Sequence, residues 1–299
     1  MKDIELELSN ICNASCPLCF RNNIKYTQSR PYHRPLSSII NQLDNLKDLQ
    51  SVKLVGTISE PTLYNHFFDL IEYLNSRDLE IEICTNGDTN NTSWWTNLGS
   101  LLKKQDKVYF TVCGSTQELH EKYRTGTSLS NIITNVKAYQ KGSCNKNDYA
   151  QLIRFKYNDQ DFDELSKASN SILDIFSNLY WTHTFLALPM NQYKVMTDQL
   201  YTDLRPVDKK YPLYKKIQTR ADAKINNLKP YCIAHLNHDT IQSDLNGKLY
   251  PCYLFSEYYY GKDIVWSYED ISLGKFPVCK YCDHNILKYL DVYDLNYII

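Results

Sequence analysis

The spacing of hydrophobic residues changes repeatedly along the chain. Residues 4–8 alternate apolar and acidic side chains, as a strand with one buried face does. Leu36, Ile39, Ile40, Leu43 and Leu46 then fall at helical spacing. Residues 51–55 read as a strand. Phe67, Leu70, Ile71 and Leu74 share one helical face, with Asn65 as the candidate N-cap. Residues 80–84 predict a short strand running into the turn signal Asn86-Gly87. The pattern predicts further helices over 93–104, 130–140 and 161–176, and further strands over 107–112, 150–155 and 182–188.

About six strand–helix units follow one another at a spacing of roughly 30 residues, which implies a parallel sheet with right-handed crossovers. Six units are too few to close an eight-fold barrel. The expected fold class is therefore α/β, a partial (β/α)6 TIM-like barrel, with a doubly wound sheet as the alternative. After Leu188 the rhythm stops in a polar stretch that contains Pro206 and Pro212. The expected organisation is a barrel over residues 1–200, a connecting segment over 201–229 and a small, aromatic-rich C-terminal domain over 230–299.

Charge and composition narrow the function classes. The net charge is −1, with no basic stripe or charged tail, so the electrostatic footprint of a nucleic-acid binder is missing and no nucleic-acid partner is expected. The apolar runs are strand-sized, far short of the roughly 20 residues of a membrane helix. The N-terminal MKDIELELSN has no apolar signal core, which makes the cytoplasm the expected location. Ten cysteines in such a chain point to metal binding or catalysis rather than to disulfides.

Three of these cysteines, Cys12, Cys16 and Cys19, follow the first predicted strand with C-x3-C-x2-C spacing. Three thiolates on a tight loop can bind three irons of a 4Fe–4S cluster and leave the fourth iron open. An open site serves chemistry, as it does in catalytic zinc centres. A zinc knuckle is the structural alternative, and it would need a fourth ligand, for which His33 is the nearest candidate.

This spacing, on the loop after the first strand, resembles the hallmark of the radical S-adenosylmethionine (SAM) superfamily. The resemblance implies that the open iron chelates the amino and carboxylate groups of SAM, and that the reduced cluster cleaves SAM to a 5′-deoxyadenosyl radical that takes a hydrogen atom from substrate. The residue before the third cysteine is often aromatic in the superfamily and packs on adenine. Here it is Leu18, with Phe20 just beyond. Gly56-Thr57-Ile58-Ser59-Glu60-Pro61 resembles the family's Gly-Gly-Glu-Pro element, with Ile58 and Ser59 in place of the glycines. Glu60 is thereby implied as the partner of the SAM ammonium. Thr85-Asn86-Gly87 resembles the element at the end of the third strand, implying Thr85 and Asn86 as hydrogen-bonding groups for SAM or substrate. An ordinary turn is the simpler reading of either segment.

At the end of the fourth strand Cys113 stands where relatives carry an acidic residue, followed by His120 and Arg124. Strand C-termini face the active site in such barrels. Cys113 is the candidate hydrogen-atom donor to a substrate radical, with His120 and Arg124 as further catalytic candidates. A buried, inert thiol and a surface His–Arg pair are the plainer alternatives.

Cys232, Cys252, Cys279 and Cys282 form a second set, with an Asn246-Gly247 hairpin turn before Pro251-Cys252 and a C-x2-C hook at the end. This arrangement resembles the twitch domain, the shortened SPASM extension of radical SAM enzymes, and implies a second, auxiliary 4Fe–4S cluster. His235, His238 or His284 could replace a cysteine, and a structural zinc would satisfy the same residues. The whole arrangement looks most like small twitch-containing members, including ones encoded by tailed phages.

The first strand begins at residue 4, so no leader-gripping module is expected ahead of it. The expected substrate is therefore a small molecule, a sugar or nucleotide derivative, undergoing epimerisation or oxidation. A peptide substrate is the runner-up, and a zinc-stabilised binding module without catalysis is the alternative outside enzymology. A flavodoxin or ferredoxin is the expected electron donor.

Overall fold

A computed structural model describes residues 3–23, 30–168, 171–183, 202–204 and 240–252, with single positions and short runs between 255 and 276. The elements are β1 (Asp3–Leu6), α1 (Leu36–Asp44), β2 (Ser51–Leu54), α2 (Phe67–Ser76), β3 (Glu80–Thr85), α3 (Thr92–Leu101), β4 (Lys107–Val112), α4 (Gln117–Glu121), α5 (Leu129–Gly142), β5 (Asp148–Arg154), α6 (Asp159–Leu165), β6 (Asn178–His183), β7 (Thr240–Ser243) and β8 (Leu249–Tyr250). One sheet contains all the strands, in the order β6-β5-β4-β3-β2-β1-β7-β8. Every pairing is parallel except β7 with β8. The sequential order of β1 to β6, each strand separated from the next by helix, is that of the expected partial barrel.

The two faces of the sheet differ. Ile4, Leu6, Val52, Leu54, Ile81, Ile83, Phe110 and Leu152 point one way and are fully buried with Ile39, Leu43, Leu70, Trp95 and Val136 of the helices. Burying this apolar face against the helices is the main favourable term in holding the layers together. The opposite face carries Glu5, Lys53, Glu82, Cys84, Tyr109 and Tyr149, all half-buried. Register sets Glu5 level with Lys53, Lys53 with Glu82, and Glu82 with Lys107, a row of alternating charge across four strands. Lys107 Nζ lies 3.5 Å from Glu82 and 2.9 Å from Glu80. Next to this row the Tyr109 and Tyr149 rings stack at 4.8 Å, with Tyr180 at 5.3 Å from Tyr109.

Some local expectations shift. The strand expected over 182–188 is β6, Asn178–His183. The helix expected over 161–176 stops at Leu165, and a 3-10 turn follows at Ile172–Ile175. The serines between these elements favour caps over helix interior, and Ser171 with Asp174 closes a capping box. Asn65 does not cap α2; His66 occupies that position.

β7 and β8 lie in the stretch that composition sets apart, yet β7 extends the barrel sheet beside β1. Arg34, buried behind the hairpin, donates to Ser243 Oγ (3.1 Å) and Gln42 Oε1 (2.7 Å), while Gln42 Nε2 donates to the Gly247 carbonyl (3.0 Å). Gly247 has φ +81°, and a Cβ there would sit 2.8 Å from Arg34 Nη2, so glycine serves both the turn and the close approach. The segment expected to connect the domains, 201–229, lies outside the described residues apart from 202–204.

Candidate cofactor-binding site

The loop after β1 carries Cys12, Cys16 and Cys19, none in a disulfide, with Cys16 buried and the others half-buried. Its backbone is tied down at several points. Cys19 N donates to Cys16 O (3.0 Å), Ser15 N to Thr125 O (2.9 Å) and Glu60 N to Ile11 O (2.8 Å). Arg21 Nη1 donates to Cys12 O (3.0 Å). Burial pushes the Cys12 thiol up and the Cys19 thiol up to about 12, so thiolates in this loop call for a compensating cation. A 4Fe–4S cluster supplies that charge and takes one thiolate per iron. A single zinc ion would need its ligands to converge to about 2.3 Å from one point. His33, the extra ligand a zinc knuckle would recruit, instead accepts a hydrogen bond from Asn65 N (3.4 Å) and packs on Tyr64. The donor set fits the cluster.

Glu60 is 3% exposed and its carboxylate is fully engaged. Oε1 accepts from Thr62 Oγ1 (2.7 Å), Thr62 N (3.3 Å) and Thr85 Oγ1 (2.6 Å), and Oε2 accepts from Asn86 N (2.8 Å). Burial raises its pKa while these donors oppose the rise. Glu60 thus clamps the loop after β2 to the turn after β3. Asn86 carries the clamp onward: its Nδ2 donates to Asn13 Oδ1 (2.7 Å), on the cysteine loop. Thr85 Oγ1, besides donating to Glu60, accepts from Gly87 N (2.9 Å). These three expected SAM-contacting residues are brought together beside the cysteine loop, with the Asn86 side chain bonded to that loop and the Thr85 side chain bonded to Glu60.

Leu18 and Phe20, the expected adenine neighbours, diverge. Phe20 is buried with Ile58 and Leu245, joining the cysteine loop to the Glu60 loop and the β7–β8 hairpin. Leu18 packs toward Cys113, Phe155 and Leu204.

Cys113 is fully buried in that second group. Its carbonyl accepts from Tyr157 Oη (3.0 Å) and Asn158 Nδ2 (2.9 Å). Burial pushes its thiol up to about 12, with Arg124 opposing. Arg124 Nη1 also donates to Cys16 Sγ (3.6 Å), so one guanidinium stands between Cys113 and Cys16 of the cysteine loop. His120 is buried as well. Its Nδ1 accepts from Cys113 N (3.2 Å), and Nε2 pairs with Thr127 Oγ1 (3.0 Å). Desolvation, reinforced by Arg124, lowers its pKa to about 4, which keeps it neutral. Both ring nitrogens are occupied inside the protein, and His120 orders the loop that carries Arg124.

Of the second cysteine set, Cys252 is half-buried just after β8. Cys232, Cys279 and Cys282 lie outside the described residues, as do His235, His238 and His284.

Sequence reasoning missed Glu7, which it read as one acidic position of an alternating strand. Glu7 is 2% exposed and receives Ser59 Oγ (2.5 Å) and Ile58 N (3.0 Å). The signal was present in the alternation itself, which puts Glu7 on the same face as Glu5 at the C-terminal end of the first strand.

Comparison with known proteins agrees with this geometry. The family model described as the Radical SAM superfamily matches residues 6–168. The tungsten-containing aldehyde ferredoxin oxidoreductase cofactor-modifying protein of Pyrococcus furiosus is 26% identical over 112 residues, 38% of this chain. That match spans 31% of the relative, about a third of its length. Native anSMEcpe with bound AdoMet shares the fold at TM-score 0.57 and 13% identity, covering 100% of this chain and 85% of that one. Streptococcus suis SuiB bound to S-adenosylmethionine gives TM-score 0.59 at 14% identity, over 96% of this chain and 67% of SuiB. SuiB bound to the precursor peptide SuiA gives 0.57 at 13%, over 97% and 65%. At these identities the likeness to the solved structures is one of fold. Among the described residues no helix is long and apolar enough to cross a membrane.

Proposed function

This chain belongs to the radical SAM superfamily, and from that premise we propose that it cleaves SAM reductively and abstracts hydrogen from a small polar substrate, a sugar or nucleotide derivative, for epimerisation or oxidation. The observation that carries the reading is the loop of three cysteines, Cys12, Cys16 and Cys19, fastened to Glu60 and Asn86. When bound there, a 4Fe–4S cluster and SAM supply a 5′-deoxyadenosyl radical. The protein's own part is to hold the three thiolates, to keep the Glu60 and Asn86 loops against them, and to give Cys16 a hydrogen-bond donor in Arg124.

The half-buried face of the sheet supports a small substrate. Tyr109, Tyr149 and Tyr180 offer aromatic surface for a ring to stack on, and Thr111 and Gln151 add polar groups beside them. Cys252, with Cys232, Cys279 and Cys282, would hold an auxiliary 4Fe–4S cluster in a twitch-like domain, and a flavodoxin or ferredoxin would deliver the electron. The second reading, a peptide maturase, is favoured by the bound precursor peptide named for SuiB.

Anaerobic purification and reconstitution test the proposal. About eight irons per chain would support two clusters and about four would support the first alone; zinc in place of iron would sink both. Dithionite and SAM should then yield 5′-deoxyadenosine. Sugar or nucleotide pools that accelerate its release, with peptide pools inert, would favour the first substrate class.

A further inference from the structure

The loop after β2 departs from its family's paired glycines at Ile58 and Ser59, and both replacements have partners. Ile58 packs on Phe20 and Leu245. Ser59 Oγ donates to Glu7 Oε1 at 2.5 Å, and the neighbouring Ile58 N donates to Glu7 Oε2 at 3.0 Å. The nearby Thr57 amide favours the charged form of the same carboxylate. Gly56, at φ +65°, bends the chain so that these donors converge, and a Cβ at Gly56 would meet Ser59 O at 2.4 Å.

We infer that Glu7 is the positioning residue of the SAM-holding loop: its carboxylate, gripping Ile58 and Ser59, fixes the backbone that presents Glu60 to the cysteine loop. This rests on the proposed function for what the loop holds. The grip on the loop itself stands on the geometry alone. Glycines would leave the segment free to adopt other conformations. Here two donors on one buried carboxylate restrict that freedom, and each bond is strongest when the carboxylate is charged.

The charge on Glu7 is finely balanced. Burial dominates and raises its pKa to about 7, against the opposing hydrogen bonds, and Asp244 of the β7–β8 hairpin adds repulsion. Glu5 lies on its own strand, Lys53 on β2, Asp244 on the hairpin and Glu60 at the far end of the loop. Asp244 is itself held by Asn246 N, Lys248 N and Tyr250 Oη. Below about pH 7 the carboxylate takes up a proton, and the grip on the loop weakens.

Two measurements test the inference. Amide hydrogen exchange across residues 56–60 of the full chain, without any cofactor, should speed up about ten-fold in Glu7→Gln and in Ser59→Ala, with β3 unchanged. The double variant should show less than the combined effect of the two single ones, because both remove one bond. In the reconstituted holoprotein, the Kd for SAM should rise about ten-fold in each variant. The wild-type Kd should weaken as pH falls through about 7, and that dependence should be flat in Glu7→Gln. Unchanged exchange and unchanged Kd in both variants would overturn the inference. Should Glu7→Gln fail to fold, Ser59→Ala, which keeps the carboxylate, decides it. A wild-type holoprotein that takes up no SAM would count against the proposed function, and the exchange result would still decide the role of Glu7.

Discussion

Asn86 donates its backbone N–H to Glu60 Oε2 at 2.8 Å, and this bond joins the ends of two neighbouring strands. Because Glu60 accepts from four donors while buried, an amide in its place must turn an NH2 toward at least one of them. Glu60→Gln should therefore destabilise the protein by about 2–4 kcal/mol, the cost of leaving buried donors unmatched. Thr85→Val removes one of the four donors to Glu60 and leaves the Gly87 amide without its acceptor, so about 1–2 kcal/mol is expected. Urea denaturation of the two variants checks the ranking; equal, small losses would mean that the carboxylate is not the clamp.

The three thiols should act as a unit in holding iron. Cys16→Ala, or the same change at Cys12 or Cys19, should remove about four irons per chain after anaerobic reconstitution. Cys144→Ala should remove none, since Cys144 is exposed and lies apart in the loop after α5. Iron and sulfide analysis, with the cluster absorbance, separates the cases. Iron that persists in all three single variants would contradict the assignment.

How far the sequence predicts such a site depends on what kind of signal each residue gives. Cys12, Cys16 and Cys19 are legible because soft ligands at fixed spacing have few other uses. The strand–helix alternation is legible because each strand buries one full face, and Ile4, Val52 and Ile81 repeat it from strand to strand. The roles of Glu7, His120 and Phe20 are not. Each is set by a partner far along the chain: Ser59 for Glu7, Cys113 and Thr127 for His120, Ile58 and Leu245 for Phe20. Periodicity marks which face a residue takes and is silent on which loop it meets there. β7 escapes for the same reason, because its pairing with β1 spans more than two hundred residues of chain.

Arg124 links Cys16 of the cysteine loop to the buried Cys113 thiol, and on the proposed function this predicts an effect on redox poise. Its guanidinium donates to Cys16 Sγ, and hydrogen bonds to cluster sulfurs raise reduction potentials. Arg124→Met should lower the potential of the first cluster, and Arg124→Lys should restore part of the loss by keeping a positive charge. A redox titration followed by electron paramagnetic resonance measures it. An unchanged potential in Arg124→Met would show that the Cys16 contact does not survive cluster binding.

His120 should make the protein acid-sensitive. Its folded pKa is lowered to about 4 from an ordinary value of 6.5, chiefly because burial disfavours the imidazolium. Between these values the unfolded chain binds the proton and the folded chain does not, so stability falls as pH drops from about 6.5 to about 4. The full effect corresponds to about 3 kcal/mol. Glu7 works in the opposite sense: its raised pKa means that the folded state takes up a proton first, which favours folding as pH falls from about 7 to 4.5. The two contributions overlap in the wild type, so the His120 effect must be isolated by difference. Denaturant unfolding of wild type and His120→Gln at pH 7 and pH 4 does this. Glutamine has no proton to gain, so the wild type's advantage over the variant should shrink by about 3 kcal/mol on acidification. A constant difference at the two pH values would mean that His120 ionises as readily inside the fold as outside it.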